Sequence, residues 1–229
     1  MQDILGQAMT AYYERKSAAK LWVNNRYGPR EEMPVKIYFR NSNDMPELEW
    51  VALQQCRGKI LDIGAGAGSH ALALQQLGQE VTALDISPKL TGLMEKRGVK
   101  KVVCKDFFEL TGGRYDTLLL LMNGIGLAGT LDGLRRFLKK ARRLLRPGGQ
   151  LIFDSSDVAY LYQWKPPKGP EYYGVLFYQY EYRRQQSAWF QWLFIDPKTL
   201  RKIAAEEGWK VESVYDDGRD HYLVRCRPQ

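Results

Sequence analysis

From residue 58 onward the hydrophobic residues fall alternately into short unbroken runs and into runs spaced three and four apart. The short runs are Ile60 to Ile63, Val81 to Asp85, Val102 to Lys105, Tyr115 to Met122 and Gln150 to Asp154, and they predict five strands. Leu118 to Met122 is apolar at every position, the pattern of a strand covered on both faces. Ala71 to Leu77, the stretch from Ser87 to Gly98, and Thr130 to Arg146 carry the helical spacing between them. Their ends are signalled: Ser87-Pro88 and Thr130 start helices, Gly78 and Gly98 stop them, and Pro147-Gly148-Gly149 turns the chain into the fifth strand. Strands spaced this way by helices predict right-handed crossovers and a mainly parallel sheet.

After Asp154 the pattern changes. A Pro- and Lys-rich loop, Trp164 to Pro170, precedes two predicted strands, Gly174 to Arg183 and Ser187 to Ile195, around a polar turn at Arg184-Gln185-Gln186. The first alternates, with Leu176, Tyr178, Tyr180 and Tyr182 on one face and Gln179, Glu181 and Arg183 on the other. Asp196-Pro197 caps a helix that Gly208 ends, and Trp209 to Tyr215 with Tyr222 to Cys226 form a closing pair of strands. Ahead of the core, an Ala- and Tyr-containing helical segment and a helix over Glu47 to Gln55 flank a break at Gly28-Pro29. Leu48, Val51, Ala52 and Gln55 share one side of that second helix. Residues 1–57 therefore read as a helical cap or lid packed on a core of 58–229, within which 158–196 is an aromatic β-hairpin insertion.

Length and composition narrow the class. The 229 residues suit one α/β domain with decoration. No apolar run approaches the roughly 20 residues needed to span a bilayer, so no membrane partner is expected. Met1-Gln-Asp-Ile-Leu-Gly carries neither a basic leader nor an apolar core, and the three widely spaced cysteines suit a reducing compartment better than disulfides or zinc. The expected location is cytoplasmic, as a monomer or a homodimer. The net charge of +8 permits a polyanionic partner, yet it becomes informative only if concentrated on one face. The helix from Thr130 carries Arg135, Arg136, Lys139, Lys140, Arg142, Arg143 and Arg146 opposite an apolar stripe, which is ordinarily a solvated face.

The chemistry concentrates at Lys59-Ile-Leu-Asp-Ile-Gly-Ala-Gly-Ala-Gly-Ser-His70, a strand, a glycine turn and a helix start. Such a turn lets backbone N–H groups approach the polar end of a ligand, with the positive end of the helix dipole facing it. Asp85, about 20 residues further on, suits the ribose hydroxyls of any adenosine ligand. The dinucleotide fingerprint wants its third glycine where Ser69 stands, whereas this chain has Gly68, and a further acid follows the third strand at Asp106.

In this order the motifs resemble the class I S-adenosylmethionine-dependent methyltransferases, closely over 58–157 and in outline over 197–229. The resemblance implies an α/β, three-layer Rossmann-like fold: a mostly parallel seven-stranded sheet, helices on both faces, an N-terminal helical lid and a β-hairpin inserted after the fifth strand. It also implies S-adenosylmethionine as cofactor, held by Asp62 at the methionyl amino end, by Gly64, Ala65 and Gly66 as a backbone cradle ahead of Gly68, by Asp85 and Ile86 at the ribose, and by Asp106 and Phe107 at the adenine. The implied reaction is in-line methyl transfer to an oxygen, nitrogen or carbon nucleophile, with S-adenosylhomocysteine as product and neither a metal nor a covalent residue required.

Acceptor-side candidates carry competing structural roles. Asn123 ends the fourth strand, beyond whose carboxyl end both cofactor and acceptor would lie, and is equally suited to form a turn. Its surroundings lack the prolines and aromatic of amino-group methyltransferases acting on nucleic acids, and the Pro-Cys of cytosine C5 enzymes. His70 opens the helix after the glycines, as a base or as a packed cap, whereas His221 reads as a surface or packing residue. Tyr12, Tyr13 and Arg40 are the lid candidates, and Tyr178 and Tyr180, with Trp189, Phe190 and Trp192, wall either an acceptor pocket, a dimer contact or plain core. The expected acceptor is a small molecule. An RNA methyltransferase and a non-catalytic S-adenosylmethionine-binding protein are the alternatives.

Overall fold

A computed structural model describes residues 2–15, 19–163, 165–167, 169 and 171–229, so the predicted loop from Trp164 to Pro170 lies partly outside the described residues. In chain order the first elements are α1 (Ile4–Tyr13), β1 (Leu21–Asn25), β2 (Glu31–Met33), α2 (Glu47–Gln55), β3 (Lys59–Ile63), α3 (Ser69–Gln76) and β4 (Glu80–Asp85). They are followed by α4 (Pro88–Arg97), β5 (Val102–Cys104), β6 (Tyr115–Leu120), α5 (Leu131–Leu144) and β7 (Leu145–Ser156). The last third adds β8 (Val175–Tyr182), β9 (Gln185–Gln186), β10 (Phe190–Leu193), α6 (Pro197–Glu206), β11 (Trp209–Asp216) and β12 (His221–Pro228). No helix among the described residues is long and apolar enough to cross a membrane.

The core sheet has seven strands in the order β11-β12-β7-β6-β3-β4-β5. Neighbours from β7 to β5 are parallel, and β12 runs antiparallel between β7 and β11. The apolar run in β6 explains why this sheet is buried on both faces. Leu118 and Leu120 pack with Phe137 and Leu138 of α5, whereas Leu119 joins Ala71 and Leu74 of α3 on the other side. The predicted start signals are in place. Ser87 accepts the Leu90 N–H at 3.0 Å, Thr130 accepts that of Gly133 at 3.0 Å, and Asp196 accepts those of Lys198 and Thr199.

Residues 1–57 depart from the expected helical cap. Helices α1 and α2 are present, but β1 and β2 lie between them and join a second sheet of order β10-β8-β1-β2, with β9 paired to β8. The inserted hairpin is therefore not closed on itself, because β1 pairs along β8 from Leu21 opposite Tyr182 to Asn25 opposite Tyr178. In β1 only Leu21 and Val23 are buried, and two asparagines end it, too short and polar a run to signal a strand. The second hairpin strand is shorter than the predicted Ser187 to Ile195. Its turn falls on Arg183 and Arg184, both in the left-handed region at φ +50° and +63°, one residue earlier than the predicted polar turn. Strand order reverses at β3, with β4 on one side and β6 on the other. The cap sheet and α1 therefore cover the crevice beyond these carboxyl ends, where ligands of open α/β sheets bind.

Candidate functional site

The turn after β3 is built by glycines in left-handed backbone: φ is +70° at Gly64, +58° at Gly66 and +82° at Gly68. The N–H groups of Gly64 and Ala65 donate to the Leu84 carbonyl at 2.8 and 3.0 Å, tying the turn to β4. Asp85 closes it from the other side, accepting the Gly66 N–H on Oδ2 and the Ser87 N–H on Oδ1, both at 2.9 Å. Each of its oxygens keeps a further lone pair. Burial raises the Asp85 pKa, and the backbone N–H bonds pull against that rise.

Asp62 is 2% exposed and its Oδ2 has no hydrogen-bond partner among the described residues. Burial pushes its carboxyl up to about 6, against the opposing pull of His70. The unpartnered oxygen lies beside a buried ionic chain: His70 Nε2 is 2.9 Å from Glu49 Oε2, and Arg40 donates to the other oxygen of Glu49. Burial alone would lower the His70 pKa, but the Glu49 hydrogen bond and the charges of Asp62 and Glu49 raise it. Asp106 accepts the Phe108 N–H at 2.7 Å, and its other oxygen has no hydrogen-bond partner among the described residues.

One cavity of about 490 Å³ gathers these groups. Of the predicted cofactor residues, Asp62, Gly64, Ala65, Gly66, Asp85, Ile86, Asp106 and Phe107 line it, and of the acceptor candidates Arg40, His70 and Tyr180 do. The Phe107 ring is also core, stacked on Phe137 with centroids 4.6 Å apart.

Five predicted residues lie outside the cavity wall. Gly68 packs closely: a Cβ there would sit 2.9 Å from Met94 Cγ and Val99 Cγ2. Asn123 forms a turn, at φ +56°, donating its N–H to Asp154 while its side-chain oxygen accepts from Ser156 at 3.2 Å. His221 backs the same turn, its Nε2 2.7 Å from Asp154 Oδ2. Tyr12 and Tyr13 face outward, 43% and 40% exposed, and pack on Phe39. Tyr178 points along the cap sheet to Phe190 and Phe194.

Sequence reasoning missed Asp3, which caps α1, and Met9 of α1, together with Tyr38, Glu49, Lys105 and Phe108, all at the wall. Only Glu49 left a signal, since it stands three residues before Ala52 on the buried side of α2 and is 5% exposed. Trp192 is placed by close packing: its indole N–H donates to the Asn123 carbonyl at 3.1 Å, and the ring fills the space where a Gly126 Cβ would stand.

A family model for a methyltransferase domain matches residues 61–153. The solved structure of an S-adenosylmethionine-dependent methyltransferase from Bacteroides fragilis, in complex with S-adenosyl-L-homocysteine, superposes with a TM-score of 0.91 at 40% identity, covering 99% of this chain and 94% of that one. The CcbJ methyltransferase of Streptomyces caelestis shares the fold at 16% identity, with a TM-score of 0.64 over 81% of this chain and 94% of that one. Among curated relatives, demethylmenaquinone methyltransferase of Tropheryma whipplei (strain Twist) is 30% identical over 105 residues, 41% of this chain and 40% of the relative. The chain thus spans about two fifths of the length of the curated relatives it matches. The near-complete likeness to the Bacteroides fragilis structure decides the family: the chain belongs to the S-adenosylmethionine-dependent methyltransferases.

Proposed function

We propose that this chain methylates a small molecule, binding S-adenosylmethionine along the ends of β3, β4 and β5 and the acceptor under the cap sheet. The observation that carries the reading is a single cavity shared by Asp62, Asp85 and Asp106 on one side and the cap residues Tyr180, Trp189, Phe190 and Trp192 on the other. The residues present fit the cofactor. A buried carboxylate oxygen without a partner, at Asp62, suits an ammonium group. The spare lone pairs of Asp85 suit ribose hydroxyls, and the open oxygen of Asp106 suits an adenine amino group. A Cβ on Gly64 would meet nothing within 4 Å, so the backbone there is bare toward a ligand.

When bound, the cofactor supplies a methyl group already activated on a sulfonium. What remains for the chain is to align the acceptor, exclude water and leave no competing nucleophile nearby. Trp192, pinned to the Asn123 carbonyl, and Tyr180, in the middle of the cap sheet, give the acceptor side rigid walls.

The same geometry argues against RNA as the acceptor. The basic side chains at the cavity are Arg40, which is bound to Glu49, with Lys105 and His70. Part of the basic face of α5 is engaged elsewhere: Arg135 meets Glu206 at 2.5 Å and Glu207 at 3.4 Å, and Lys139 meets Glu207 at 3.6 Å, while Arg146, at the start of β7, meets Asp116 at 2.9 Å.

Calorimetry with S-adenosylmethionine and with NAD tests the cofactor half. Binding of the first alone, with Asp85→Ala weakening it by at least tenfold, is expected; tight NAD binding would overturn the reading. Salt-sensitive RNA binding near 50 mM salt would overturn the acceptor half.

A further inference from the structure

The acceptor wall has a chemistry of its own, and the argument rests on the methyltransferase reading above. The cavity holds many charged groups, yet nearly all are committed. Asp3 caps α1 through Gly6 and accepts from the Ser87 hydroxyl, while Glu49 is held by both Arg40 and His70. Asp62, Asp85 and Asp106 form the cofactor side, and Lys105 adjoins Asp106 at the end of β5.

What faces them from the cap is aromatic. Tyr180 and Phe190 have ring centroids 5.1 Å apart, and Phe190 and Trp192 meet edge to face at 6.1 Å. Trp189 stands at the rim, 42% exposed. The polar ends of these neighbours are mostly spent: the Trp192 N–H is bonded to Asn123, and the nearby Tyr38 hydroxyl donates to the Met33 sulfur at 3.0 Å. Among the described residues the Tyr180 hydroxyl has no hydrogen-bond partner. Burial raises its pKa, so it stays a neutral phenol able to donate and accept.

From this wall we infer that the methyl acceptor is an uncharged, planar aromatic molecule, stacked among Tyr180, Phe190 and Trp192 and hydrogen-bonded to the Tyr180 hydroxyl. Flat apolar faces with one neutral polar group suit such a ligand and give it orientation. A cationic acceptor could also meet aromatic faces, but it would share the cavity with the positive sulfonium and find no uncommitted carboxylate on the cap side. An anionic acceptor would find Arg40 already neutralised by Glu49, leaving Lys105, which follows β5 on the cofactor side, as the cation it could meet.

The test is calorimetry on the full chain saturated with S-adenosylhomocysteine, titrated with 2-naphthol, 2-naphthylmethylammonium, 2-naphthoate and cyclohexanol. We expect 2-naphthol to bind at least tenfold more tightly than each of the others. Tyr180→Phe should weaken it about 3- to 10-fold, as loss of one neutral hydrogen bond does, and Trp189→Ala should weaken it by a similar factor. Equal or tighter binding of a charged probe, no binding of 2-naphthol, or 2-naphthol binding unaltered in both variants would overturn the inference while leaving the methyltransferase reading intact. Failure of S-adenosylhomocysteine itself to bind would remove both, and that titration is read first.

Discussion

Asp62 is the residue whose ionisation is most exposed to ligand. Its carboxyl is pushed up to about 6 by burial, from about 3.9 in an unstructured chain. A carboxyl raised on folding favours the protonated native state. That contribution is complete below about pH 4 and is lost as pH rises through about 6. An ammonium placed on its unpartnered oxygen favours the carboxylate instead, so binding below pH 6 expels a proton. Affinity for S-adenosylhomocysteine should accordingly rise between pH 5 and 7, by up to about tenfold per pH unit at the acid end. His70 also titrates beside Asp62, against Glu49, with Asp85 and Arg40 near by, so the control is Asp62→Asn. That variant should bind about 10- to 100-fold more weakly at pH 7 and show a flatter profile; a slope unchanged from wild type would assign the proton to another group. At this scale the sequence exposes the acid before the glycines but not its partners. Its neighbour His70 meets Glu49, itself held by Arg40, because α2 packs in one core with α3, which neither helix states on its own.

The elements that were legible are those whose pattern is local: β3 to β7 as short apolar runs, and helix starts at Ser87, Thr130 and Asp196. Glycines show where such reading stops. Gly64, Gly66 and Gly68 look alike in sequence, but only Gly68 is closed in by Met94 and Val99. Gly68→Ala adds both a left-handed φ of +82° and that overlap, and should cost about 2–4 kcal/mol. For a chain of this size, thermal unfolding should then shift down by about 2–4 °C per kcal/mol. Gly64→Ala meets open space and carries only the φ penalty of about 1–2 kcal/mol, so it should melt closer to wild type while weakening cofactor binding. Equal melting shifts for the two would show that packing against α4 is not what Gly68 serves. Gly126→Ala acts on the other half of the cavity. Its Cβ would fall 2.0 Å from Trp192 Nε1, so the indole must leave its seat. Binding of the aromatic probe should fall at least tenfold while S-adenosylhomocysteine binding changes little, both read by calorimetry.

At the scale of the molecule, the cap is assembled from two stretches far apart in the chain, since β1 lies between β2 and β8 and pairs Trp22 with Glu181. No local pattern announces a pairing over such a separation, which is why β1 and β2 were unreadable and the insertion looked self-contained. The outer half of the cap sheet has a core of its own. Leu21 and Tyr182 cluster with Ile4 and Ala8 of α1, whereas Leu193 of β10 and Val175 of β8 pack with Leu118 and Phe153 beside α5. Clusters that share no buried residue open with separate free energies, so β1 and the far end of β8 can loosen while the cofactor strands hold. Val23 lies opposite Glu31 on one side and Tyr180 on the other, and Val23→Pro removes an N–H and stiffens the backbone at that point. Native-state hydrogen exchange should then quicken at least tenfold over 21–25 and 178–182, the residues β1 and β8 pair, with protection kept over 59–63, 80–85 and 115–120. In the same variant the aromatic probe should lose its site and S-adenosylhomocysteine should still bind. Uniform loss of protection across both sheets would mean instead that cap and core open as one unit, and that access to the acceptor wall is not governed by the cap alone.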